Sequence, residues 1–295
     1  MVGLGDIARK AYLPTLGSRA GLKIHLVTRD QVMREDLARS WRISDHHTDV
    51  DAALTAARFD AAFVHAATEA HPILVERLLA ARVPVFVDKP LADTYAEAAR
   101  LAELATRTDV PLFVGFNRRY APVYAALRGR PRTMVQMTKH RRGPLHPPRR
   151  TVFDDFIHVV DTLRFLSPEP VEPVAIETIV RAGRLEAVAL VLTGSALIAT
   201  GSMHRASGLD EEQLDVVGGG TRTTIKDMAD TIYADGVEQR TRRGDWTAVQ
   251  RQRGFEAMCD AFLDIVASGA PCPIEDMLET HRLCELIVAR AERAA

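Results

Sequence analysis

Two spacings of apolar residues alternate along the first 120 positions. Strand-like runs occur at Leu22 to Val27, Phe59 to His65, Val83 to Val87 and Pro111 to Gly115. Between them, apolar residues recur every three or four positions across Arg34 to Trp41, Pro72 to Ala81 and Tyr95 to Thr106. These runs predict strands, Phe59 to His65 a buried one, and the wider spacing predicts helices. Strand and helix in alternation predict an α/β fold, a doubly wound parallel sheet of the Rossmann type over residues 1–120.

The pattern changes after residue 120. A helix near Pro122 to Leu127 leads to an extended run, Thr133 to Thr138, a basic and Pro-rich loop, Lys139 to Arg150, and a helix, Asp154 to Phe165. Period-two alternation then marks Val174 to Val180, Glu186 to Leu192 and Leu197 to Met203 as antiparallel strands. Gly218, Gly219 and Gly220 separate two more, Gln213 to Val217 and Arg222 to Lys226, and read as a hairpin turn because a strand follows them. Helices at Ala248 to Ala267 and Ile274 to Arg293 close a second domain, residues 121–295.

Gly3, Gly5 and Ala8 form a G-x-G-x-x-A turn where a strand hands over to a helix, the fingerprint of dinucleotide binding. Gly3 permits the tight turn. Gly5 admits a pyrophosphate to the N-terminus of the helix that follows. Only Met1 and Val2 precede the turn, where a strand of about five residues is expected. This predicts that the true start lies upstream of Met1 and that the flanking strands lose ladder bonds.

Composition narrows the classes. A net charge of −1 over 295 residues argues against nucleic-acid or membrane-surface partners. No apolar run approaches the roughly 18 residues of a membrane span. Three cysteines, Cys259, Cys272 and Cys284, match no metal-site spacing and fit a cytoplasmic protein.

Four groups of residues could carry chemistry. At the end of the second strand, where an acid would bind the ribose of NAD, the chain has Thr28, Arg29 and Asp30. Arg29 suits the 2′-phosphate of NADP, so NADP is preferred over NAD; alternatively Arg29 is solvated and Asp30 takes the ribose. Asp88, Lys89 and Pro90 end a parallel strand, where ligands of such sheets bind, and a partly desolvated lysine there can transfer a proton. Asp154, His158 and Asp161 are spaced to lie near one helix face, where a carboxylate can orient an imidazole; otherwise Asp154 caps the helix. Lys139, His140 and Arg141, with Arg142, Arg149 and Arg150, form a basic loop that could meet an anionic substrate or simply be solvated. No metal site is expected.

Five motifs in order, Gly3–Ala8, Thr68–His71, Val87–Leu91, Gly115–Tyr120 and Asp154–Asp161, resemble the Gfo/Idh/MocA family of oxidoreductases over essentially the whole chain. Within it the chain most resembles the bacterial virulence-factor MviM-like oxidoreductases. The resemblance implies a Rossmann domain, a second α/β domain with a large, mostly antiparallel sheet, and C-terminal helices packing back on the first domain. It implies a homodimer or homotetramer, and hydride transfer between nicotinamide C4 and a carbinol carbon of a sugar or polyol. Lys89 and His158 would then handle the hydroxyl proton while Asp154 orients substrate and His158. Gly3, Gly5, Asp6, Ile7, Thr28, Arg29, Thr68, Asp88 and Lys89 would contact the cofactor, with His71 and Asn117 on its nicotinamide side. Phe156 replaces a common glycine and predicts a reshaped pocket floor. A catalytically silent sensor on the same fold is the alternative.

Overall fold

The computed structural model describes residues 1–294. Its contacts divide it into two compact units: Met1–Phe116 with Phe255–Leu278, and Asn117–Gly254 with the residues from Glu279 onward.

The first unit is built on short parallel strands: β1 (Leu26–Val27), β2 (His46–His47), β3 (Ala62–Val64), β4 (Val85–Asp88) and β5 (Leu112–Gly115). β2 pairs with β1, and β3, β4 and β5 pair in sequence. Val2 bridges the two groups, in parallel with both Val27 and Val64. Met1–Gly3 therefore does hold the central place. Val2 N–H donates to Phe63 O at 2.8 Å, His65 N–H to Val2 O at 2.7 Å, and Val27 N–H to Met1 O and Gly3 N–H to Val27 O at 2.9 Å each.

The expected strand Leu22 to Val27 shrinks to two residues, because its neighbours, Met1–Gly3 and β2, offer no further partners. Phe63, Phe86 and Phe113 lie in register across β3, β4 and β5, with successive ring centroids 4.9 and 5.5 Å apart. Phe262 packs against all three. The helix Gln31–Trp41 begins earlier than its apolar spacing predicts, since Asp30 Oδ1 caps it by accepting from Met33 N–H at 2.9 Å. β2 and the helix Val50–Ala56 have no counterpart in the sequence reading.

The second unit carries β6 (Met134–Arg142), β7 (Glu172–Arg181), β8 (Arg184–Thr193), β9 (Ile198–His204), β10 (Ala206–Gly218), β11 (Thr221–Lys226), β12 (Asp230–Ala234) and β13 (Glu238–Thr241). They form one sheet in the order β13-β12-β11-β10-β6-β9-β8-β7, antiparallel throughout except for the β6–β9 pair. Gly219 and Gly220, at φ +57° and +74°, make the two-residue turn between β10 and β11 that their composition predicts.

The helix Ile157–Leu166 packs on the sheet so closely that a Cβ at Gly201 would stand 2.5 Å from Val159 Cγ1. One expectation changes here. The basic segment from Lys139 to Arg142 is the end of β6 and not a loop, because Lys139 turns inward to a carboxylate instead of outward to water. Phe156 is fully buried and packs near Gly201 on the sheet.

Candidate active site

In the first unit, Gly3 sits at φ +80°, and a Cβ there would lie 2.5 Å from Ala66 N. Only glycine fits. At Gly5 a Cβ would meet nothing within 4 Å, which leaves open space beside the backbone where a pyrophosphate is to approach. Asp6 and Ile7 open the helical segment and are exposed; Asp6 pairs with Lys10 at 2.9 Å. The segment continues through a π-helical stretch, Ala8–Tyr12.

Beside this turn lies a cleft of about 460 Å³ whose lining includes Gly3, Thr28, Arg29, Asp51 and Arg77. Asp30, whose carboxylate caps the following helix, is thereby occupied. Arg29 is exposed and carries no ion pair or hydrogen bond among the described residues. The open glycine turn, the cleft and this unpaired guanidinium fit a dinucleotide, with room for a 2′-phosphate beside Arg29.

Lys89 follows the C-terminal residue of β4 and is half-buried; the Lys89–Pro90 peptide is cis. Asp88 accepts from Tyr12 Oη at 3.1 Å and from Lys89 N–H at 3.0 Å. Burial pushes the Asp88 carboxyl above the usual range, against the pull of the Lys89 charge. His71 is buried, with Nδ1 2.8 Å from Pro90 O and Nε2 3.0 Å from Ala66 O. Burial lowers the His71 pKa, and the neutral ring carries one N–H, so it donates to one of these two carbonyls. Thr68 begins the 3₁₀ turn just before it. His65, stacked on Tyr12 with centroids 3.9 Å apart, has both ring nitrogens buried without hydrogen-bond partners, and burial drives its pKa well below the ordinary value.

In the second unit, the predicted Asp154 helix begins earlier, with Pro148–Thr151, and passes through a π turn, Val152–Phe156, into Ile157–Leu166. Asp154 is exposed, 3.5 Å from Arg150 Nε, and His158 is half-buried. Asp161 does not join them. It is buried, receives Arg119 through Nε at 2.9 Å and Nη2 at 2.6 Å, and accepts from Thr280 Oγ1 at 3.0 Å.

Asp155, which the sequence reading passes over, is the anchor of the turn. Its Oδ1 lies 2.8 Å from Lys139 Nζ, and its Oδ2 accepts from Arg205. Burial lowers the Lys139 pKa to about 7, with Asp155 opposing. Burial also lifts Asp155, but Lys139 and Arg205 outweigh it and hold the carboxyl below its usual range. Asn117 is buried and donates through Nδ2 to Arg253 O at 2.8 Å.

The basic cluster is only partly paired, since Lys139, Arg141 and Arg205 share the one carboxylate of Asp155. Lys139 and Arg141 lie within 4.0 Å of Asp155, Arg149 pairs with Glu285, and Arg150 is the partner of Asp154. His140 faces its own sheet, accepting from His204 N–H through Nδ1 at 3.0 Å. Among the described residues no group of three or more His, Cys, Asp or Glu could hold a metal ion, and no helix is long and apolar enough to cross a membrane.

Comparison with known proteins bears on both units. Residues 1–116 match the oxidoreductase family described as having an NAD-binding Rossmann fold, and residues 122–236 match the YceM-like C-terminal domain. The YceM protein of Salmonella typhimurium is 37% identical over 285 residues, 90% of this chain and 88% of its own. The crystal structure of the dehydrogenase MviM from Clostridium difficile superposes with a TM-score of 0.91 at 31% identity, covering 98% of each chain. A myo-inositol dehydrogenase, Hyg17 of Streptomyces leeuwenhoekii, is 39% identical over 128 residues, 39% of each chain. The glycine turn, the parallel sheet and these full-length likenesses agree: the chain belongs to the Gfo/Idh/MocA family of NAD-binding oxidoreductases.

Proposed function

We propose that the protein is an NADP-preferring dehydrogenase or reductase that acts on a carbinol carbon of a polyhydroxylated small molecule. The observation that carries this reading is the placement of Lys89. It follows a parallel strand at its C-terminal end, where ligands of such sheets bind, on a backbone fixed by Asp88, Tyr12 and His71. The nicotinamide, when bound, accepts or delivers hydride at C4. Lys89 and His158 hold and move the proton of the reacting hydroxyl, and Asp154 orients the substrate and His158. Arg29 selects the 2′-phosphate, a reading favoured by the commitment of Asp30 to its helix cap.

The likeness to a myo-inositol dehydrogenase puts cyclic polyols first among candidate substrates. The protein assembles as a homodimer or homotetramer through the uncovered face of the large sheet, where Met134 and Ile198 are register partners and exposed. Sedimentation velocity tests that assembly.

The function is tested by turnover on a panel of polyols, sugars and sugar acids with NADP⁺ and NAD⁺, beside calorimetric cofactor binding. Lys89→Met and His158→Gln should each lower kcat by about 10² to 10⁴ while cofactor affinity holds. Wild-type binding with no turnover across the panel favours the silent sensor instead.

A further inference from the structure

The cleft beside the glycine turn holds more charge than the sequence reading assigned to it. Arg29 and Arg77 line it, as do Asp49 and Asp51. Asp49 is taken up as a helix cap, accepting from Ala52 N–H at 2.8 Å and Thr48 Oγ1 at 2.9 Å. Asp51 is the ion-pair partner of Arg77, which projects from the last turn of the helix His71–Ala80. Both members of this pair are largely exposed, with side chains 47% and 64% accessible.

A phosphomonoester brings a charge of about −1.5 to −2 at pH 7, more than one guanidinium balances. Arg29 supplies one cation. Arg77 is the other arginine lining the cleft, and an exposed pair such as Arg77–Asp51 is weak and cheaply exchanged. Arg–phosphate contacts are charge-assisted and two-pronged, so a phosphate competes well against a solvated carboxylate. A bare ribose hydroxyl has no such claim on Arg77, which then stays on Asp51.

We propose that Arg77 is a second specificity-determining ligand for the 2′-phosphate of NADP, held on Asp51 until that phosphate arrives. This rests on the NADP preference proposed above and adds to it a residue from a different element, with its own restraint.

Calorimetric titration of the full chain with NADPH, NADH and adenosine 2′,5′-bisphosphate tests it in the wild type, Arg77→Gln, Asp51→Asn and Arg29→Gln, with melting temperatures as folding controls. Arg77→Gln should weaken NADPH and the bisphosphate by roughly tenfold and leave NADH unchanged. Asp51→Asn, which frees Arg77, should tighten both 2′-phosphorylated ligands by about threefold. Equal losses for NADPH and NADH in Arg77→Gln overturn the proposal, as does no loss at all. If Arg29→Gln still lowers the NADPH-to-NADH ratio in that case, the NADP reading survives without Arg77. If wild-type protein binds NADH as tightly as NADPH, both fall together.

Discussion

Lys139 Nζ stands 2.8 Å from Asp155 Oδ1 and 3.3 Å from Asp155 O, so the inward side of β6 is fastened to both the side chain and the backbone of the π turn. Its pKa of about 7 in the fold lies well below the roughly 10.4 of a free lysine. Between those values the unfolded chain binds more protons, so this group makes stability rise with pH from about 7 to about 10, by up to about 1.4 kcal/mol per unit. Below that window both states are protonated and the contribution is flat. Lys139→Met should abolish the rise. Urea unfolding of both proteins at intervals from about pH 6.5 to 9.5 measures it, and a constant wild-type-minus-variant difference would count against a titrating Lys139.

Gly3 and Gly5 separate backbone strain from ligand access. Gly3→Ala meets both a positive φ and a backbone contact at 2.5 Å, and should cost about 3 kcal/mol or more of stability. Gly5→Ala meets nothing within the protein and should stay within about 0.5 kcal/mol of wild type. It should still weaken dinucleotide binding by tenfold or more, roughly, by filling the space for the pyrophosphate. Thermal melts with and without NADPH distinguish the two; a Gly5→Ala protein that binds normally places the pyrophosphate elsewhere.

Arg118 and Glu212 form a buried pair, 7% and 5% accessible, with Tyr124 Oη also donating to Glu212 at 2.9 Å. Glu212→Gln leaves a guanidinium charge without its counterion and should cost about 3–5 kcal/mol. Arg118→Met added to it removes the orphan charge and should restore at least half of that loss. A double-mutant cycle in urea reads the coupling directly, and strict additivity would show that the two side chains act independently.

The thiols are protected by burial. Cys259 and Cys284 are fully buried, and burial pushes Cys259 and Cys272 up to about 12. Native protein at about pH 8 should therefore react with a chromogenic disulfide over hours, and guanidinium-unfolded protein within seconds to minutes. Rapid native labelling of Cys259 or Cys284 would reveal local opening around the Phe255–Ser268 or Ile274–Arg293 helices.

The alternation of strands and helices was legible because β3, β4 and β5 bury both faces, which leaves continuous apolar runs such as Val85 to Val87. β2 was not, because His46 and His47 are polar and only two residues pair. The end of β6 was misread for a related reason. Lys139 points inward, and an inward charge neutralised by Asp155 looks in sequence like a solvated one. At the second-unit motif, the spacing of Asp154 and His158 marks the helix that packs on the large sheet. Nothing in that spacing announces that Asp155 is the anchor or that the turn is π, since both depend on Lys139 and Arg205, strands away in the chain. Arg77 gave no signal at all. Its relevance comes only from a cleft assembled by four separate segments.

The π turn at Val152–Phe156 makes the direction of the side chains around it depend on segment length. A wide turn of this kind is equivalent to one residue inserted into an ordinary helix. Each residue of an α-helix advances the bearing by about 100°. Deleting the codon for Asp155 or Phe156 would shorten the Asp154-to-His158 spacing by one residue, and so turn the two side chains by about 100° relative to one another. Point substitutions there alter what the side chains are; only a change in residue count alters where they aim.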